Sequence, residues 1–323
     1  MLHDFVTQFW PSTIDGLSAG AIYALVALGY TMVYGVLRLI NFAHSEVFMV
    51  GTFAALFVLS NVLDITHPIT GIALVGVLLA MAAAAMISSG VTAVVLERVA
   101  YRPLRRKGAS RLAALISAIG ASFFLQELFA LFVIPTVFHR EQHGRDQIPV
   151  PHVMDKEGLF SIGNGVVRND KLLVLVAAVV MMVLLDQLVN RTKVGRGIRA
   201  TAQDPETAVL MGINIDRIIL VTFVVGGAMA GVAAALYALE YENIKYNIGF
   251  LLGIKAFTAA VMGGIGNLRG ALLGGLLLGL IEFYGASVFG SEWRDVIAFT
   301  VLVVVLMFRP TGILGEPLQK ARA

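Results

Sequence analysis

Asn190–Arg217 reads NRTKVGRGIRATAQDPETAVLMGINIDR, a basic and polar run between the apolar segments Leu172–Val189 and Ile218–Leu239. Each flanking segment is close to the ~20 residues that an α-helix needs to cross a bilayer, so the run reads as a connection between two membrane spans. Within it, Asp204 is a good helix N-cap, Pro205 suits the first helical position, and Glu206 puts negative charge where the helix dipole is positive. Gly212 and Asn214 are stop signals two turns later, and Asp216 could cap the next helix. The expected product is a short helix over 204–212, held at the membrane surface. It offers Val209, Leu210 and Met211 as apolar side chains for a soluble partner to bury. The bland alternative is an ordinary cytoplasmic loop made basic by topology alone.

Composition extends this reading to the whole chain. Of 323 residues, 58% are hydrophobic and 14% charged, and the mean hydropathy is +0.84. A soluble domain cannot bury so much apolar surface. In lipid the backbone must satisfy its own hydrogen bonds, which leaves helices or a closed barrel, and the apolar runs are far longer than barrel strands of about 10 residues. The expectation is an all-α integral membrane protein, a polytopic helical bundle forming a single transmembrane domain over 1–323. The absence of cysteine excludes disulfides and thiolate metal sites. The pI near 9.2 does not indicate a nucleic-acid partner, because the basic residues gather in two loops and near the C-terminus, as orientation signals do. Residues 1–37 carry no Lys or Arg, so no cleavable signal peptide is expected.

The first span is expected over Ile14–Val36, with Gly16 and Gly20 giving a small packing face. A polar break, Arg38–Glu46, precedes the apolar run Val47–Ser60. Asn41, His44 and Glu46 should face protein or water, since charge exposed at membrane depth is expensive; the alternative is a surface turn with these groups among lipid headgroups. A third span over Ile69–Leu96 ends in the basic cluster Glu97–Lys107, which the positive-inside rule makes a cytoplasmic loop. The fourth span, Leu112–Ile134, leads to an external loop over 135–170, and the fifth returns to the basic connection 190–217. The sixth carries Gly227 and Gly231 and ends among Tyr237, Tyr241 and Tyr246, an external interface belt. The runs Phe250–Gly264 and Ala271–Ile281 are short, and Val296–Phe308 is the last span. The total is about nine crossings or partial crossings, eight or nine helices, some of them broken or re-entrant, with the N-terminus outside and the basic C-terminal tail inside.

Two breaks in opposite halves look related: Gly35–Asn41 and Gly264–Gly270 each begin with Gly and carry one Arg and one Asn. Paired interruptions point to an internal repeat and to a midplane site built from half-helices, whose ends could meet a small zwitterion. On this reading Gly264, Gly266 and Asn267 join Asn41, His44 and Glu46 as candidate pathway residues, with the intramembrane charges Lys255 and Glu282. The bland alternatives are that Lys255 snorkels to the external interface and Glu282 pairs with a neighbouring helix.

Glu206-Thr207-Ala208, three residues, then Gly212 resembles the E-x-A-x3-G coupling motif of ABC-transporter membrane subunits, although Ile218-Ile219-Leu220 replaces its downstream Leu-Pro. The wider context, Ala202–Ala208 through Gly212-Ile213-Asn214, is similar to the branched-chain amino-acid permease family of ABC importers. So are Leu39–Glu46, Glu97–Pro103, Lys255–Gly266 and Pro310–Gly315, and the resemblance spans essentially the whole chain. It implies the permease subunit of an ATP-driven importer of leucine, isoleucine and valine in the bacterial cytoplasmic (inner) membrane. The implied partners are a second, paralogous permease subunit, two cytoplasmic ATPases, a periplasmic amino-acid-binding protein and membrane lipid. Asp204, Pro205, Glu206, Ala208, Leu210, Met211 and Gly212 are the implied ATPase-coupling residues.

The chain itself is expected to be no enzyme and to hold no cofactor or metal, with ATP and Mg2+ bound by the ATPases. It contains no G-x-x-x-x-G-K-[ST] phosphate loop, no His/carboxylate pair at helical metal spacing inside an apolar span and no visible nucleophile–base set. Two alternatives stay open. An ABC permease for urea or short amides would carry similar signatures. An ion-coupled secondary transporter would use Glu46, Lys255 and Glu282 as coupling groups but would leave the coupling motif without a role.

Overall fold

The computed structural model describes residues 2–139 and 144–315. The expected basic tail with Lys320 and Arg322, and residues 140–143 of the expected external loop, lie outside the described residues. From the N-terminus the helices are α1 (Leu2–Leu37), α2 (His44–Phe57), α3 (Gly71–Leu96), α4 (Arg102–Arg106), α5 (Arg111–Leu128) and α6 (Ile134–Val137). Widened π-turns at Val58–Val62, Glu97–Tyr101 and Phe129–Val133 prolong α2 and join α3 to α4 and α5 to α6. Short strands β1 (Ile148–Pro149), β2 (Gly158–Ile162) and β3 (Gly165–Arg168) follow. Next come α7 (Asn169–Arg191), α8 (Lys193–Gln203), α9 (Pro205–Leu210), α10 (Ile215–Tyr241) and β4 (Asn243–Ile244). The chain then forms α11 (Ile248–Gly263), α12 (Leu268–Phe289) and α13 (Arg294–Phe308).

Seven helical stretches among the described residues are long and apolar enough to cross a membrane: Thr7–Leu37, His44–Val62, Gly71–Arg106, Arg111–Val137, Asn169–Arg191, Ile215–Tyr241 and Leu268–Phe289. With the 16 residues of α11 and the 15 of α13 they account for the nine expected segments, so the protein is a polytopic helical membrane protein. Several boundaries differ from the sequence reading. The basic cluster after residue 96 is not a loop: the helix runs on through the π-turn into α4, and the widened turn directly before Pro103 accommodates the ring and the missing N–H that would interrupt regular α-helix. Ala271–Ile281 is the middle of a 22-residue helix, not a partial crossing. The 135–170 stretch is not all loop. β2 and β3 form an antiparallel hairpin, and β1 pairs with β4 through Ile148↔Ile244. Lys156 Nζ and His152 Nδ1 also reach Glu242 at 2.8 and 2.7 Å, which joins two stretches both expected outside.

The helices sort into two compact units. One comprises the chain up to residue 31, residues 157–186 and the chain from residue 255 onward; the other comprises 32–156 and 187–254. In the first unit α1 crosses α12 at glycines. A methyl group on Gly20 would lie 2.7 Å from the Gly275 carbonyl oxygen, and one on Gly275 would lie 2.6 Å from Ala24 Cα. In the second, α10 packs on α3 in the same way, with a methyl on Gly231 falling 2.5 Å from the Ala85 oxygen. Lipid supplies no hydrophobic drive between helices, so association rests on such close backbone approach. Ser89 adds a bond across α3 and α2, its Oγ donating to the Val47 oxygen at 2.9 Å.

Candidate functional site

The basic connection 190–217 is the largest departure from expectation, for it holds two helices. Lys193–Gln203 is the 11-residue helix α8, capped by Thr192, whose side chain accepts from the Gly195 amide at 2.9 Å. Gly195, Gly197, Ile198 and Thr201 form its buried face, while Lys193, Arg196 and Arg199 stay outside. Two glycines within 11 residues weaken the helix signal. The reason for them is tertiary: a methyl on Gly195 would fall 2.2 Å from the Val189 oxygen, and one on Gly197 would fall 2.6 Å from Ile218 Cδ1.

Asp204 ends α8 and begins α9. Its Oδ1 accepts from the Glu206 and Thr207 amides at 3.0 and 3.2 Å, and its Oδ2 accepts from Thr207 Oγ1 at 2.5 Å. The Thr207 hydroxyl and amide, then the Glu206 amide and the Arg38 charge, hold this carboxyl below the ordinary aspartate value. Pro205 is the first helical residue, as expected. Gly212 ends the turn at φ +80°, a left-handed backbone that glycine adopts without strain. Ala208 is buried, whereas Val209, Leu210 and Met211 are 53, 86 and 78% exposed. Asp216 is not the next cap. Asn214 takes that place, accepting from the Arg217 amide at 3.0 Å. Asp216 instead receives Arg102 at 3.0 Å, Arg105 at 2.5 Å and Arg106 at 3.3 Å.

The break before α2 is shorter than expected, because His44 and Glu46 already belong to that helix. Asn41, His44 and Glu46 are buried at 2, 1 and 0% exposure, which rules out the headgroup alternative. Asn41 Oδ1 accepts from Tyr101 Oη at 2.7 Å. Glu46 Oε1 collects Gln126 Nε2 at 2.9 Å, Ser122 Oγ at 3.0 Å and Ser45 Oγ at 3.3 Å. Its Oε2 is buried with no hydrogen-bond partner among the described residues, and it faces Gly249, where a methyl group would come within 2.7 Å. Gln126 is visible in the sequence as a polar residue inside the fourth span, but nothing there singles out Ser122 except its place four residues earlier.

The remaining candidates lie in the other unit. Lys255 Nζ meets Glu282 Oε1 at 2.8 Å and Asp295 Oδ1 at 2.7 Å, an ion triad across α11, α12 and α13. Lys255 is thus held between a buried carboxylate and the half-exposed Asp295, and Glu282 has the partner that the bland alternative supposed. Gly264 and Gly266 turn the chain between α11 and α12 at φ +106° and +99°. Asn267 then caps α12, accepting from the Arg269 and Gly270 amides at 3.1 and 3.2 Å. Its Nδ2 donates to the Leu314 oxygen at 2.8 Å, and the Ile313 and Leu314 amides donate to Met262 and Gly263. The Pro310–Gly315 stretch thus lies on this turn. The two breaks that look alike in sequence are built differently, since Asn267 caps a helix through its side chain and Asn41 does not. A surface groove of about 420 Å3 between α3 and α10 is lined by Met86, Gly90, Val94 and Val224 among others and holds none of the candidates.

Fold and polar sites together define a polytopic helical membrane protein with buried charge inside its bundle and an exposed apolar tip on a short connecting helix. The family model described as the branched-chain amino acid transport system / permease component matches residues 12–306, and the chain belongs to that family. It is 45% identical to the high-affinity branched-chain amino acid transport system permease protein BraD of Pseudomonas aeruginosa, over 97% of each chain. It is 38% identical to the corresponding permease protein LivH of Escherichia coli, over 96% of each. The probable branched-chain amino acid transport permease protein LivH of Methanocaldococcus jannaschii is 26% identical over 93% of this chain and 91% of that one.

Proposed function

We propose that this chain is the membrane-spanning permease subunit of an ATP-driven importer, forming the path for leucine, isoleucine and valine. The transport role named for its near-full-length relatives supports the substrate class. The observation that carries the coupling role is α9: a rigidly capped turn whose Val209, Leu210 and Met211 stand in solvent between two long apolar helices. Apolar side chains displayed in this way suit burial by a soluble partner. The partner is one of two cytoplasmic ATPases that bind ATP and Mg2+, while this chain binds neither and hydrolyses nothing. A paralogous permease completes the membrane part, and a periplasmic binding protein delivers the amino acid. Asn41, His44, Glu46, Lys255, Gly264, Gly266, Asn267 and Glu282 are the candidate path residues, with Glu46 and Glu282 each keeping one buried oxygen without a partner among the described residues.

The protein sits in the bacterial cytoplasmic membrane with its N-terminus periplasmic and its C-terminus cytoplasmic. Two groups of contacts support this orientation: the arginines of α4 meet the start of α10, and the 135–170 stretch meets its end. Closure of the ATPase dimer on nucleotide moves α9, and differential nucleotide binding supplies the energy that shifts the permease from outward- to inward-open. The test is labelled-leucine and labelled-urea uptake in cells with this chain deleted and then restored. Loss and rescue of leucine uptake alone is the expected result. Loss of urea uptake with leucine unaffected would overturn the substrate and leave the architecture standing.

A further inference from the structure

The joint between α8 and α9 is gripped from elsewhere in the same unit. Arg38 stands where α1 ends, at φ 51°, and its Nη2 donates to the Ala202 and Gln203 carbonyl oxygens at 3.0 and 3.3 Å. These are the last carbonyls of α8, where the helix dipole favours a cation and where no helical amide is available to satisfy them. They directly precede Asp204, the residue that caps α9. Arg38 therefore holds the hinge about which α9 would turn.

The contacts continue and close on themselves. Three residues beyond Arg38, buried Asn41 accepts from buried Tyr101 at 2.7 Å. Tyr101 ends the π-turn that leads into α4. Arg102 and Arg105 of α4 hold Asp216 in the first turn of α10, and α10 begins just after the Gly212 turn that ends α9. The path from α9 to Arg38, to Asn41, to Tyr101, to α4, to Asp216 and back to α9 is a ring of hydrogen bonds and short chain segments. The break at 38–43 is part of that ring, and it opens directly onto Glu46.

We propose that Arg38 and Tyr101 are positioning residues that couple α9 to the polar break before α2, so that a push on α9 reaches Asn41 and Glu46 through this ring rather than only along the spans α7 and α10. The inference rests on the coupling role of α9. Its physical basis is that charge-assisted hydrogen bonds to fixed carbonyls transmit displacement without the slack of a solvated loop.

The test uses the full chain reconstituted in liposomes with its permease, ATPase and binding-protein partners, and reads labelled leucine taken up per ATP hydrolysed. With Arg38→Ala the ratio falls about three- to tenfold, a range set by charge-assisted bonds at an exposed guanidinium. Arg38→Lys, which keeps a cation near the α8 carbonyls, restores part of the loss. Tyr101→Phe, which removes one hydroxyl, lowers the ratio in the same direction. Wild-type ratios in both Arg38→Ala and Tyr101→Phe would overturn the proposal. If Arg38→Ala does not assemble, Tyr101→Phe decides alone. Leu210→Asp separates the two readings: full uptake in that variant removes the coupling role of α9 itself. Loss there with unchanged ratios in the ring variants removes the ring only.

Discussion

The crossing of α1 and α12 makes a stability prediction that can be worked from distances. Replacing Gly275 by Ala puts a methyl group 2.6 Å from the N, Cα and Cβ atoms of Ala24, roughly 1 Å inside ordinary carbon–carbon contact. Two of those three atoms are backbone, so relief requires the helices to part. Overpacking of this kind costs about 1–3 kcal/mol, and the better helix propensity of Ala returns about 0.5–1 kcal/mol. Contact on backbone atoms puts the overpacking in the upper part of that range, about 2–3 kcal/mol, so the net cost is about 1–2.5 kcal/mol, a fall of roughly five- to seventyfold in the folded-to-unfolded ratio. Gly76→Ala is the matched control: this glycine lies in α3 with nothing within 4 Å of the added methyl, so the variant should be neutral or slightly more stable. Both are measured by reversible unfolding of the purified full chain in mixed micelles, titrating a denaturing detergent against helix content. If Gly275→Ala unfolds at the same point as Gly76→Ala, the two helices separate without cost, and close backbone packing does not hold this unit together.

Three further outcomes are expected. Leu210→Asp, at a side chain 86% exposed, should leave unfolding within about 0.5 kcal/mol of wild type while leucine uptake collapses; a parallel loss of stability would mean that Leu210 is a packing residue instead. Asp204 is held below its ordinary value of 3.8, so its capping contribution is complete above that pH and is lost as the pH falls through the lower folded value. Amide protection factors over 206–210 should therefore drop on acidification, and Asp204→Asn should abolish the step; a step that survives in Asp204→Asn would assign it to another group. Lys255→Met strands Glu282, 2% exposed, at a cost of about 3–5 kcal/mol. Adding Glu282→Gln should recover most of that loss, and an equal loss in both variants would show that Glu282 is not left uncompensated.

Much of the site was legible because it is local. The Asp204–Pro205 helix start and the Gly212 stop follow from neighbouring residues competing for the same few amides and carbonyls, whereas the exposure of Val209–Met211 depends on how the rest of the unit packs. The small faces at Gly16 and Gly20, and at Gly227 and Gly231, were also readable as packing sites, since only glycine admits the backbone approach found there. What misled was polarity. The basic runs at 97–107 and 193–203 looked like loops, yet one prolongs α3 and the other is α8. A helix at a membrane surface needs only a narrow buried stripe, and in α8 half of that stripe is glycine.

The apolar runs and their caps, taken alone, determined that this chain is a helical membrane protein, roughly where its helices lie, and where α9 begins and ends, because a bilayer and a backbone impose those choices over spans of a few turns. Tertiary structure alone decided that Arg38 holds the end of α8 across 164 positions, that Tyr101 holds Asn41, that Gln126 and Ser122 converge on Glu46, and that Lys255 joins Glu282 and Asp295. Apart from the Arg38 grip, which lies at the exposed surface, those pairings arise from the need to satisfy buried polar groups in a medium without water, and which partner is in reach depends on how the helices pack, not on the order of residues along any one of them.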